Sequence, residues 1–72
     1  MQIGNWLIRA RTVSGLSIAD TAKTLYMSES AYRLIEDNPG RLSINQIRAL
    51  LVAFNEEGRR ITMNFLEEIN MP

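Results

Sequence analysis

Residues 17–36 read SIADTAKTLYMSESAYRLIE, and this stretch decides the fold. Ser17 followed by Asp20 has the spacing of a capping box, in which a hydroxyl takes an orphan backbone N–H and an acid in the first turn favours the helix dipole. Ile18, Thr21, Ala22 and Leu25 then recur at i, i+3, i+4 and i+7, which predicts a short helix over about residues 18–25. Ser28 is a second N-cap candidate, and Ala31, Tyr32 and Ile35 fall on one side of a helical wheel. Their partners Ser30, Arg33, Leu34 and Asp37 therefore point outward, with Glu29 on the flank. Two short helices separated by a tight turn are the expectation for this stretch.

On the N-terminal side, Ile3, Leu7, Ala10 and Ser14 keep helical spacing and Trp6 widens the stripe, so a first helix is expected over about residues 2–14, stopped by Gly15 in the left-handed region. On the C-terminal side, Asp37-Asn38-Pro39-Gly40 is a cluster of turn formers that closes the third helix. Ser43-Ile44-Asn45-Gln46 matches a second capping box, and Ile44, Ile47, Leu51 and Phe54 extend an apolar stripe through a fourth helix, with Gly58 as its natural stop. In the tail, Ile61, Met63 and Phe65 alternate with Thr62 and Asn64, the period of a half-buried strand, although Ile61, Phe65 and Ile69 also suit a fifth helix. The strand is preferred, because it uses Gly58 in its commonest role. The expected fold is mostly α, a compact four-helix domain with a C-terminal β-strand.

A chain of 72 residues makes one small domain, here residues 1–72, whose apolar 46% is nearly all needed for the core. The absence of Cys and His excludes a disulfide framework, a Cys/His zinc site, thiol nucleophiles and Ser-His dyads. The pairs Glu56-Glu57 and Glu67-Glu68 are adjacent in sequence and do not converge on a substrate, so they read as solvated charge and no enzyme is expected. Nor is a metal, a cofactor or a small-molecule partner. No apolar run approaches the roughly 20 residues that span a bilayer, and the N-terminus lacks the order of a signal peptide, so a cytoplasmic protein without a membrane partner is expected. Eight Lys and Arg balance eight Asp and Glu, but unevenly: Arg9 and Arg11 have no acid near them in sequence, whereas residues 56–72 carry four Glu against two Arg.

Helix, tight turn and a second helix opened by Ser are the helix-turn-helix pattern. Ile3-Gly4, Arg11, Gly15-Leu16-Ser17, Ala22, Leu25, Ser28 and Ile35-Glu36 stand in the order and spacing of the Cro/phage-repressor (XRE) class of helix-turn-helix DNA-binding proteins. The chain resembles that class over residues 3–55, with Ser43, Ile44, Ile47 and Ala53 fitting the next helix. The resemblance implies a lambda-repressor-like fold and a sequence-specific transcriptional regulator. It further implies a dimeric repressor of a phage, plasmid or other mobile element, whose third helix reads a palindromic operator in double-stranded DNA.

Each matched position then acquires an expected role. Glu29, Ser30, Arg33 and Leu34 would read bases: Arg33 can donate a bidentate pair to guanine, Glu29 can accept from cytosine, and Leu34 can touch a thymine methyl group. Arg9, Ser17, Lys23, Tyr26, Ser28, Arg41, Asn45 and Arg48 are candidates for phosphate contact. Ala22 would be small to let two helices cross closely, and Arg11 would pair with Glu36 to tie the third helix to the scaffold. In the tail, Ile61, Met63 and Phe65 would lie in a strand that pairs with its own copy across a two-fold axis, giving a homodimer. Two departures stand out: Ile18 replaces the usual polar first residue of the second helix, and Tyr26 replaces the small residue of the turn. Glu29, Arg33, Glu36 and Asp37 also make the third helix net acidic. That feature supports an alternative, an antiactivator or antirepressor that uses the same scaffold to bind a basic protein partner.

Overall fold

The computed structural model describes residues 5–70, with side chains described through Glu68. Ile3 and Gly4 and the side chain of Ile69 lie outside them. Five α-helices follow one another: α1 (Trp6–Val13), α2 (Ile18–Thr24), α3 (Glu29–Asp37), α4 (Ile44–Ala53) and α5 (Glu56–Asn70), with a 3-10 turn at Pro39–Arg41 between α3 and α4. Side-chain oxygens of Asn5, Ser17, Ser28 and Ser43 accept from the first-turn N–H groups of Ile8, Asp20, Ala31 and Gln46, so each of the first four helices is started by its own sequence. The backbone N–H groups of Ser17 and Ser43 donate in return to the side-chain oxygens of Asp20 and Gln46, which completes a capping box at each. The extended backbone of Asn5 puts the start of α1 at Trp6, later than the expected residue 2.

Helices α1 and α2 end in the same way. Gly15 N–H bonds to Thr12 C=O and Leu16 N–H to Arg11 C=O; Tyr26 N–H bonds to Lys23 C=O and Met27 N–H to Ala22 C=O. Both are Schellman motifs, in which the residue just past the cap must take positive φ. That residue is Gly15 in the first (φ 73°) and Tyr26 in the second (φ 58°).

The tail corrects the sequence reading, because residues 56–70 form a helix and no strand occurs among the described residues. The fourth helix accordingly ends at Ala53 rather than running to Gly58. Asn55 caps α5 by accepting from Gly58 N–H (2.9 Å), and it also donates to Val13 C=O (2.8 Å), pinning the new helix to the end of α1. Gly58 lies inside the first turn of α5 for a packing reason. A Cβ there would lie 2.9 Å from Ala10 O and 3.0 Å from Phe54 Cβ and would collide with Ser14 Oγ, so only glycine lets α5 approach α1 this closely.

Gly58, Ile61, Thr62 and Phe65 form the inward-facing stripe of α5, Ile61 and Phe65 half-buried, with Phe65 stacked on Trp6 at 4.8 Å between ring centroids and Thr62 donating its hydroxyl to Gly58 C=O. Ile61 and Phe65 therefore pack on the chain's own core, whose centre is Leu7, Ala10, Ala22, Tyr32, Leu50 and Phe54. The expected strand pairing of Ile61, Met63 and Phe65 between two copies does not form. Met63 alone of the three is exposed. Ile44, read from sequence as part of the inward stripe of α4, is also mostly solvent-facing.

Candidate nucleic-acid interface

The position of α3 is set by one buried group, the carboxylate of Glu36. It accepts from Arg11 Nε and from the Tyr32 hydroxyl (2.7 Å), and the same arginine donates through Nη1 to Leu16 C=O (2.9 Å). Asn5 adds a bond from its amide to Glu36 C=O. Both ends of α1 thus hold the last turns of α3, Asn5 at its start and Arg11 near its end, with Arg11 itself held by the loop before α2. Burial holds the Tyr32 phenol far above its ordinary pKa, reinforced by its hydrogen bond to the Glu36 carboxylate and by that group's negative charge. The buried phenol, held neutral, serves this network as a hydrogen-bond donor to the carboxylate.

Opposite this anchored side, Glu29, Ser30, Arg33, Leu34 and Asp37 are all exposed. Ser30, Arg33, Leu34 and Asp37 follow at i, i+3, i+4 and i+7 and so share one stripe. Leu34 keeps 59% of its surface in solvent, a large apolar residue left uncovered in the middle of a polar face. Glu36 is buried against Arg11 and does not belong to that face, which leaves Glu29, Arg33 and Asp37 as its charges. The acidity inferred from sequence is therefore smaller than four charged residues suggest.

The structure divides the candidate phosphate contacts into groups. Lys23, Tyr26 and Ser28 line one shallow cleft where α2, the turn and the start of α3 meet, together with Ala19, Ala22, Met27 and the base-reading candidate Glu29. Arg41 is exposed in the 3-10 turn, and Asn45 and Arg48 are exposed on the first turns of α4. Ser17 and Ser28 use their hydroxyls in capping, which leaves their roles local. Arg9 does not join the first cleft. It lines a groove of about 700 Å³ between α1, α5 and the end of α3, together with Trp6, Asp37 and Glu68. Nothing in the sequence marked this groove, because it arises from the docking of α5, a contact between opposite ends of the chain. Ala22 is buried beneath the cleft, at 2% exposure.

Among the described residues no cluster of three or more His, Cys, Asp or Glu could hold a metal ion, and no helix is long and apolar enough to cross a membrane. No family model, curated protein or solved structure matches the chain. A functional reading therefore rests on these residues and their arrangement.

Proposed function

We propose that this chain binds double-stranded DNA and reads its sequence with the outward face of α3, as a transcriptional repressor does. The observation that carries the reading is how α3 is held: one side is fixed through Tyr32, Glu36 and Arg11, while Ser30, Arg33 and Leu34 are exposed on the other. A rigidly mounted helix with a chemically mixed, uncovered face suits readout of base edges in a major groove. In this reading Arg33 donates to guanine, Ser30 bonds a base edge or a phosphate, Leu34 covers a thymine methyl group and Glu29 accepts from cytosine. Lys23, Tyr26, Arg41, Asn45 and Arg48 supply the backbone contacts.

One such module covers a half-site, so the proposal takes two copies on a palindromic operator. Their pairing surface does not include Ile61 or Phe65, which the core uses. The competing reading, a module that binds a basic protein instead of DNA, draws support from Glu29 and Asp37 flanking Arg33 on the exposed face.

Fluorescence anisotropy with a labelled random-sequence duplex of about 30 base pairs separates the two. DNA binding through phosphates makes log K fall by about 0.9 per contact for each log unit of salt. No binding at about 50 mM salt contradicts the proposal and favours the protein-partner reading.

A further inference from the structure

The two Schellman motifs provide an internal comparison. Each needs one residue at positive φ, and the chain supplies Gly15 for the first and Tyr26 for the second. Glycine takes that conformation freely, whereas an aromatic residue with its Cβ is strained there. Packing does not compensate for the strain: 96% of the Tyr26 surface is exposed, the most of any large hydrophobic residue described. The turn's own hydrogen bonds use only Tyr26 backbone and would form equally well with glycine. The side chain at this position therefore contributes nothing to folding and carries a conformational cost, the pattern of a residue retained for an intermolecular contact.

The surroundings indicate the contact. Tyr26 shares its cleft with Lys23, with Ser28 at the start of α3 and with Glu29. A phenol and a lysine lining one cleft suit a singly charged oxyanion that accepts one neutral and one charged hydrogen bond. We infer that the α2–α3 turn is a clamp for one phosphodiester of DNA, with the Tyr26 hydroxyl donating to a phosphate oxygen and Lys23 neutralising its charge. This deepens the DNA-binding reading and rests on it. The strained turn holds the phenol clear of the protein surface, so the clamp fixes where α3 lies along the duplex before any base is read.

Three variants test the clamp, with the random-sequence duplex as probe because a phosphate contact is independent of sequence. Tyr26→Gly relieves the strain and removes the ring; the melting temperature should rise by about 5 °C while DNA affinity falls roughly tenfold. Tyr26→Phe keeps the strain and the ring but loses the hydroxyl; affinity should fall by a similar factor at every salt concentration, with the salt slope unchanged. Lys23→Ala should instead lower the slope by about 0.9. If wild type binds DNA and Tyr26→Gly binds equally well, the clamp is wrong although the DNA reading stands. Full binding by Tyr26→Phe would likewise overturn hydroxyl donation. A Tyr26→Gly protein that melts no higher than wild type would overturn the claim of uncompensated strain. If wild type binds no DNA, the underlying reading fails first, and the clamp with it.

Discussion

Tyr32, fully buried, donates its hydroxyl to the Glu36 carboxylate that fixes α3, and its ionisation links the fold to pH. Its folded pKa lies above the unfolded value of about 10, because burial and the Glu36 carboxylate both disfavour the phenolate. The neutral phenol therefore contributes stability that is complete below about pH 10 and is lost as pH rises above it, where the unfolded chain ionises first. Tyr32→Phe should be less stable at neutral pH, by about 1 kcal/mol for the lost hydrogen bond, yet show a flatter alkaline limb in denaturant melts taken from pH 8 to 11. A parallel alkaline limb in the variant would separate Tyr32 from the titration. The partnered charges follow a different rule. Arg11→Met leaves the Glu36 carboxylate buried without its cation and should cost about 3 kcal/mol, whereas Arg11→Met combined with Glu36→Met should cost less than the sum of the two. Additive losses in a double-mutant cycle would show that the pair is not coupled.

Among the elements, α5 separates what local sequence can reveal from what it cannot. Gly58→Ala would stabilise an ordinary helix by up to about 1 kcal/mol, but here the added methyl group meets Ala10 O, Ser14 Oγ and Phe54 Cβ, and a net loss of about 1–3 kcal/mol is expected in chemical denaturation. A stabilised Gly58→Ala protein would mean that α5 does not pack on α1 as described. Met63→Lys should change stability by less than about 0.5 kcal/mol, since that side chain is exposed, while Phe65→Ala should cost about 3 kcal/mol. The starts of α2, α3 and α4 and the stop of α1 are legible because each signal is local: Ser17, Ser28 and Ser43 sit at their caps, and Gly15 sits where the chain turns left-handed. Asn55-Glu56-Glu57 was an equally local start signal for α5, an Asn cap with two acids in the first turn, but Gly58 just after it read as a stop. Its actual purpose is a contact with Ala10 and Ser14 far away in sequence, which no periodicity can display. The alternation of Ile61, Met63 and Phe65 favours a strand, although the inward-facing positions are Gly58, Ile61, Thr62 and Phe65 at helical spacing, Ile61 and Phe65 half-buried.

For the whole molecule, the arrangement divides into an inner side that maintains the orientation of α3 and an outer side that is free to touch a partner. Arg11, Glu36, Tyr32 and Ala22 belong to the first, and Lys23, Tyr26, Ser30, Arg33 and Leu34 to the second. Ser30, Arg33 and Leu34 could be nominated from sequence because helical spacing separates them from Ala31, Tyr32 and Ile35. The exposure of Tyr26 could not, since it depends on a backbone conformation that this residue type rarely adopts. Nor could the placement of Arg9 in the α1–α5 groove beside Asp37 and Glu68.

The most direct test of the proposed function is selection of duplex DNA from a random library by wild type and by Arg33→Ala. Wild type should enrich a defined motif. Arg33→Ala should lose the preference for one guanine per half-site and bind the wild-type motif about 1–3 kcal/mol more weakly, with a smaller change on random DNA. A wild-type protein that enriches no motif, or an Arg33→Ala protein that enriches the same motif with undiminished preference, would contradict the assignment of the outward face of α3 to base reading.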